Sequence, residues 1–249
     1  MKLSSIDKCF QIIELLHENP QSLKLSEIGG MLNLHPSSVH HMLNTLLPRN
    51  YIAQCPETKK YSLGFRFLEI SKGILENMDI RSIARKYLEE LHKESREAVH
   101  LAVLKNKKVL YIDKINNPSS LSLSTYIGFV TDPHATAGGK ILLAGLSTKE
   151  VGEIYQNGTL KVFGKSTITN FEKLLEELNK IRKQGYAIDD EEYSEGVRCV
   201  AAPIRAGGRI EASLSITGSI FAITINRIEQ ELKDLVMAKA RKISSEMQW

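Results

Sequence analysis

The chain has 249 residues, 42% hydrophobic and 25% charged, with a net charge of +4 at neutral pH, enough to bury one large or two smaller cores. No apolar run approaches the roughly 20 residues of a membrane span, and Asp7 and Glu14 interrupt the apolar pattern at the N-terminus, so a membrane partner and a signal peptide are excluded and a cytoplasmic protein is expected. Cys9, Cys55 and Cys199 are widely spaced and form no CxxC pair, which argues against a disulfide framework or a zinc finger.

Residues 1–64 hold six Lys or Arg against five Asp or Glu, so bulk charge does not announce a nucleic-acid partner and the argument rests on geometry. Ile6, Cys9, Phe10, Ile13 and Leu16 recur at helical spacing and predict an amphipathic helix that stops at "NPQSLK". "LSEIGGMLNL" reads as a short second helix with Ser26 as its cap, and "HPSSVHHMLNTLLPRNY" as a third with Pro36 at its first position. On the third helix Val39, Met42, Leu43, Leu46 and Leu47 form one apolar stripe, while Ser37, Ser38, His41, Asn44 and Thr45 gather opposite. "YIAQCPETKKYSLG" then gives two short β-like runs around a turn containing Pro56, with Lys59 and Lys60 beside it. Three helices and a basic hairpin describe a winged helix-turn-helix. In that arrangement Ser37, Ser38, His40, His41 and Asn44 meet DNA in the major groove, Asn44 being suited to adenine, and Lys59 and Lys60 meet phosphates. The competing reading is a small helical domain whose polar face is merely solvated. His35, His40 and His41 have no metal-ligand spacing and read as polar surface.

Residues 65–78 look like a linker helix, and residues 79–249 like a second domain. It opens on a helix with Ile80, Ile83, Ala84, Tyr87, Leu88 and Leu91 in register. "AVHLAVL", "VLYIDKI" and "LSLSTYIG" alternate as strands, "PHATAGGKILLAGLS" turns helical after its glycines, and "TNFEKLLEELNKIRKQG" is a helix with a capping box at Thr169 and Glu172 and a stop at Gly185. "YAIDD", "RCVAAPIR" and "RIEASLSITG" are further strands, the last two joined at 206–208, and a final helix runs from about 225 to 246. Helices segregated from an antiparallel sheet give an α+β, sensor-like fold.

The stretch "DDEEYSEGVRCVAAP" (189–203) crowds acids against Cys199. It is open to four readings: an acid/base centre, a metal site of Asp189, Cys199 and His134, the surroundings of a nucleophilic Cys199 with His134 as base, or a solvated turn entering a strand. A small buried thiol is the commoner state of such a cysteine.

In "PHATAGGKILLAGL", "GYAIDDEEYSEGVRCVAAPIRAGGRIEASLSITG" and "LSEIGGMLNLHPSSVHHMLNTL", with the wing ending "YSLG", the chain resembles the IclR family of bacterial transcriptional regulators over essentially its whole length. The resemblance implies an N-terminal winged helix-turn-helix, a linker helix and a C-terminal GAF-like domain. Such a protein is a homodimer or homotetramer that binds double-stranded operator DNA under the control of a small effector, here an organic acid, and it has no cofactor, metal or catalytic residue. It also places the effector at Ala137, Gly138, Asp189, Cys199, Ser215 and Thr217. The remaining acids of 190–195 are then mostly a solvated turn, some of them paired to basic partners. Ser215 and Thr217 share a strand face, and residues 137–139 are small enough to let a ligand reach backbone N–H groups where a helix begins. Thr217, where the family has Ser, adds a methyl group that narrows the pocket. Pro36 and His41 stand where the family commonly has Lys and Arg, and each removes a permanent positive charge. Two other functions compete with this one: a GAF-type enzyme using Cys199, and a ligand-binding module with weak DNA binding.

Overall fold

The computed structural model describes residues 4–117, 125–155 and 159–247. The chain divides into two compact units, Met1–Asn77 and Met78–Trp249.

In the first unit, α1 (Ser5–Glu18), α2 (Leu25–Leu32) and α3 (Pro36–Leu46) precede a two-stranded hairpin, β1 (Ile52–Gln54) and β2 (Tyr61–Leu63), and the unit ends with α4 (Arg66–Glu76). Ser4 caps α1 through a reciprocal pair of bonds with Asp7. The expected cap at Ser26 is displaced: α2 begins at Leu25, and the Lys24 backbone N–H donates to the Glu27 carboxylate. Pro36 does occupy the first turn of α3, where its missing N–H leaves no bond unmade. The core joins Ile12, Leu15, Leu16, Ile28, Val39, Leu43, Ile52 and Tyr61. The apolar stripe read on α1 is therefore only partly internal. Of its residues Leu16 is buried, Cys9 and Ile13 are half-buried, and Ile6 and Phe10 are exposed along a groove beside α3, while Ile12 and Leu15, outside that stripe, turn inward.

The second unit is a six-stranded antiparallel sheet in the order β5-β4-β3-β8-β7-β6. Its strands are β3 (Ala98–Lys105), β4 (Lys108–Ile115), β5 (Val130–Thr131), β6 (Ala187–Asp190), β7 (Val197–Ala206) and β8 (Arg209–Ser219). Period-two alternation splits each long strand between two cores. Val99, Leu101, Val200, Ile204, Leu214 and Ile216 face α5 (Asp79–Ser95) and α10 (Lys233–Glu246). Cys199, Ala201 and Ala187 face the other way, toward α6 (Ala137–Ala144) and α8 (Phe171–Gln184). Two shorter helices complete the unit, α7 (Thr148–Ile154) and α9 (Ile225–Arg227), the latter running through a π-helical stretch Ile228–Leu232 into α10.

Three expectations shift. Half of the strand read at 121–128 falls on residues outside those described, and the other half, 125–128, is not strand; the chain rejoins the sheet at β5. The helix expected after the glycines starts before them, at Ala137, with the Thr136 hydroxyl accepting from Gly139 N–H. The glycines are there for packing: a Cβ on Gly139 would lie 2.2 Å from the Pro133 carbonyl oxygen. Finally, α8 is capped by Asn170, which accepts from Lys173 N–H, and not by a box at Thr169 and Glu172. Gly185 ends that helix at φ +82°, a conformation glycine adopts without a Cβ penalty.

Candidate functional site

The β7–β8 hairpin turns tightly at Gly207 and Gly208, both at positive φ, and a bulge between Ile204 and Arg205 then shifts the pairing of the two strands by one residue. Cys199 consequently pairs with Thr217 on one side and Asp189 on the other, and Ser215 sits between Ala201 and His100. One sheet face thus carries an unbroken polar row. The α6 N-terminus lies across it, close enough that a Cβ on Gly138 would stand 2.9 Å from the Ser213 hydroxyl oxygen.

Between helix end and sheet lies a cavity of about 440 Å³. All six residues expected at an effector site, Ala137, Gly138, Asp189, Cys199, Ser215 and Thr217, line it. So do groups that the sequence motifs do not single out: His100, Tyr111, Thr125, Phe129, Thr136 and Tyr193. The signal for His100 was available, because alternation along 98–105 puts it on the same sheet face as Ala98 and Ala102. Tyr111, Phe129 and Tyr193 come from separate segments and form a chain of edge-on and tilted ring contacts that begins at His100.

Asp189 is only 2% exposed, and one carboxylate oxygen accepts the backbone N–H groups of Glu192 at 2.8 Å and Tyr193 at 3.4 Å. Burial, reinforced by the nearby Glu192, raises its pKa to about 7, against the opposing pull of Lys140. Burial and Asp189 push the Cys199 thiol well above its ordinary range. Burial lowers His100 to about 3, assisted by Lys114, and its Nε2 lies 2.9 Å from the Thr125 hydroxyl. The cavity therefore presents a neutral imidazole, a thiol and an acid poised near neutrality.

His134 is not part of this wall. Its ring bonds the Lys161 carbonyl at 2.9 Å and the Tyr155 hydroxyl at 3.3 Å, and burial lowers its pKa. It is thus engaged elsewhere and does not serve as a base toward Cys199. Among the described residues no group of three or more His, Cys, Asp or Glu side chains could share a metal ion. The solvated-turn reading of the acids is corrected at one residue: Glu192 is buried and paired with Lys140, itself 1% exposed. Asp190 pairs with Arg198 at 2.6 Å, and Glu195 is exposed.

In the first unit Ser37, His40, His41 and Asn44 are exposed on α3 opposite its buried stripe, with Ser38 half-buried. Asn44 and His40 are linked at 3.3 Å, and Arg49 donates to the Thr45 carbonyl at the end of the helix. The wing turn is tight, with Lys59 at φ +56°; Lys59 is exposed and Lys60 half-buried.

These two units match two family models: the IclR helix-turn-helix domain over residues 5–56, and the C-terminal domain of bacterial transcriptional regulators of the IclR type over residues 72–245. The chain belongs to the IclR family. It is 32% identical over 245 residues to the HTH-type transcriptional regulator XynR of Escherichia coli, covering 97% of each chain. To the regulator KdgR of the same organism it is 34% identical, over 98% of this chain and 93% of that one. The IclR structure of Thermotoga maritima shares 33% identity and a TM-score of 0.78 over 98% of both chains. An IclR homolog of Microbacterium hydrocarbonoxydans, complexed with 4-hydroxybenzoate, shares the fold at a TM-score of 0.84 and 22% identity, over 98% of this chain and 99% of that one. The chain is a DNA-binding transcriptional regulator of this family, and among the described residues no helix is long and apolar enough to cross a membrane.

Proposed function

We propose that this regulator is a cytoplasmic repressor that binds operator DNA as a homodimer or homotetramer and changes its DNA affinity when a small organic acid occupies the cavity of its C-terminal domain. In this reading residues 1–64 are the DNA-binding domain, 65–78 the linker helix and 79–249 the GAF-like effector domain. Ser37, Ser38, His40, His41 and Asn44 face base edges or phosphates, and Lys59 and Lys60 face phosphates. The observation that carries the effector assignment is the meeting of a helix N-terminus at Ala137 and Gly138 with the polar row of Asp189, Cys199, Thr217 and Ser215 around one cavity. The helix end offers N–H groups to a carboxylate, and the far wall offers partners for a hydroxyl, hydrated carbonyl or phenol. The protein is not an enzyme: Cys199 is buried and its thiol is held protonated, which suits a lining group and not a nucleophile.

The test has two stages. Thermal shift against a panel of small carboxylic acids, including sugar-derived keto acids and aromatic acids such as 4-hydroxybenzoate, should identify a stabilising ligand. Gel shift on a duplex selected from a random pool should then show a pseudo-palindromic site, bound less tightly as salt rises and altered by that acid. No selected sequence at low salt, with or without ligand, overturns the DNA reading. No stabilising acid overturns the effector reading.

A further inference from the structure

The Lys140–Glu192 pair lies just behind the cavity and lines no part of it. Lys140 is on α6, two residues beyond Gly138, and its backbone N–H closes the first turn on the Thr136 carbonyl. Glu192 is on the turn that carries Tyr193, Ser194 and Glu195 into the cavity wall. Three contacts at Glu192 itself tie that turn down besides the ion pair. Glu192 N–H donates to Asp189, while its carbonyl accepts from the Thr167 hydroxyl at 2.5 Å and from Gly164 N–H at 3.2 Å. The second carboxylate oxygen of Glu192 is buried and has no hydrogen-bond partner among the described residues, so Lys140 is the hydrogen-bonded partner that holds this charge. Breaking a buried pair by removing one partner strands the other charge, so the two residues form a unit.

Lys140 and Glu192 thereby bring one positive and one negative charge to bear on Asp189, the acid in the cavity wall. Among the described residues the other ionisable groups around Asp189 are Tyr193 on the same turn, Cys199 on β7 and Tyr111 on β4, with His100 of β3 and Glu195 lining the same cavity; Glu177 of α8 acts electrostatically on Glu192, and Lys140 on His134. An anionic effector entering this space meets Asp189 as a like charge unless Asp189 takes up a proton.

We propose that Lys140 and Glu192 are positioning residues of the effector site: their buried pair holds the 189–195 turn against α6, and their two opposed charges tilt the balance, set first by burial, between Asp189 as a neutral acid and Asp189 as a carboxylate. Effector binding is then coupled to uptake of a proton from solvent onto Asp189, approaching one full proton as pH rises above the Asp189 midpoint. The proposal rests on the effector reading of the cavity, and its test separates the two.

The experiment is a ¹³C NMR titration of the Asp189 carboxyl in the ligand-free full chain, for the wild type, Lys140→Met, Glu192→Gln and the double variant Lys140→Met/Glu192→Leu. Opposite displacements are expected. Loss of the ammonium raises the Asp189 midpoint by about one unit or more, and loss of the glutamate charge lowers it by about as much. The double variant, which strands no charge, stays folded and returns the midpoint toward that of the wild type. A role in packing alone would not move the midpoints with opposite sign. Acetate is then added as the probe. It should perturb the Ala137 and Gly138 amides with an affinity that weakens as pH rises through the Asp189 midpoint and follows that midpoint from variant to variant. Midpoints that stay put, or move in the same direction in both single variants, overturn the proposal. Opposite displacements without any acetate effect at 137 and 138 retain the electrostatic link and overturn the effector reading instead.

Discussion

The two surfaces on which function is proposed handle charge in opposite ways. The exposed face of α3 has none that is permanent: Pro36–Leu46 contains no Lys, Arg, Asp or Glu, and the fixed cations lie outside it, at Arg49 and on the wing. The cavity wall is buried yet contains Asp189, with a Lys140–Glu192 pair directly behind it. The difference reflects solvent. A face that meets the phosphate backbone can leave attraction to neighbouring cations and use neutral groups for base recognition. A desolvated site can retain ionisable groups only where hydrogen bonds or a counter-charge hold them, and their protonation then becomes adjustable.

The largest expected effect sharpens the buried half of this contrast through pH. The pKa of Asp189 is raised to about 7 in the fold, so the folded state retains a proton that the unfolded chain has lost above about pH 4. Stability therefore falls as pH rises between these values, by an amount on the order of 4 kcal/mol. His100, lowered to about 3, acts with the opposite sign: the unfolded chain takes up a proton below about pH 6.5 and the fold does not, so stability falls as pH falls. The two slopes oppose each other over the same window in the wild type, so urea titrations at stepped pH separate them in the single variants. Asp189→Asn should leave stability rising from pH 4 to 6.5, and His100→Asn should leave it falling. In the effector assay Asp189→Asn should bind the best acid about tenfold more tightly than the wild type at pH 8, because it keeps an uncharged side chain where Asp189 has ionised. Asp190→Asn, paired with Arg198 outside the cavity wall, should do much less. Equal effects at 189 and 190 would remove the acidic stretch from the site.

A second perturbation tests the steric side. Gly139→Ala would force a Cβ against the Pro133 carbonyl and should cost about 3 kcal/mol of stability, read by denaturant unfolding. An unchanged midpoint would show that the α6 N-terminus is free to shift.

On the exposed half, Asn44→Ala should remove roughly 1–3 kcal/mol of discrimination at one base position, visible in the selected sequence logo. The smallest effect is expected from Lys59→Ala with Lys60→Ala. All sequences should bind somewhat more weakly, and the salt slope should fall by about two if both contact phosphate. If the slope stays while the logo changes, the division of labour between neutral helix and charged wing is reversed.

The sequence by itself determined the fold class, most element positions and the polar faces, because these follow from local periodicity, from Pro36 at a helix start and from Gly185 at a helix end. It also showed that β7 and β8 pair across the short turn at 206–209, but the turn's register carried through would set Ile216 opposite Cys199; a bulge between Ile204 and Arg205, decided by the fold, brings Thr217 there instead. Only the tertiary structure decided which glycines lie inside a helix, since Gly139 answers to Pro133 packed against it and not to its neighbours in the chain. It likewise decided that Ile6 and Phe10 of an apolar stripe stay exposed, and that Asn170 caps a helix near Thr169. The Lys140–Glu192 pair spans 52 residues, and no local pattern distinguishes Glu192 from the acids beside it. Burial is a property of what other segments cover, and so the protonation of Asp189, which depends on that burial, was settled by the fold and not by the motif.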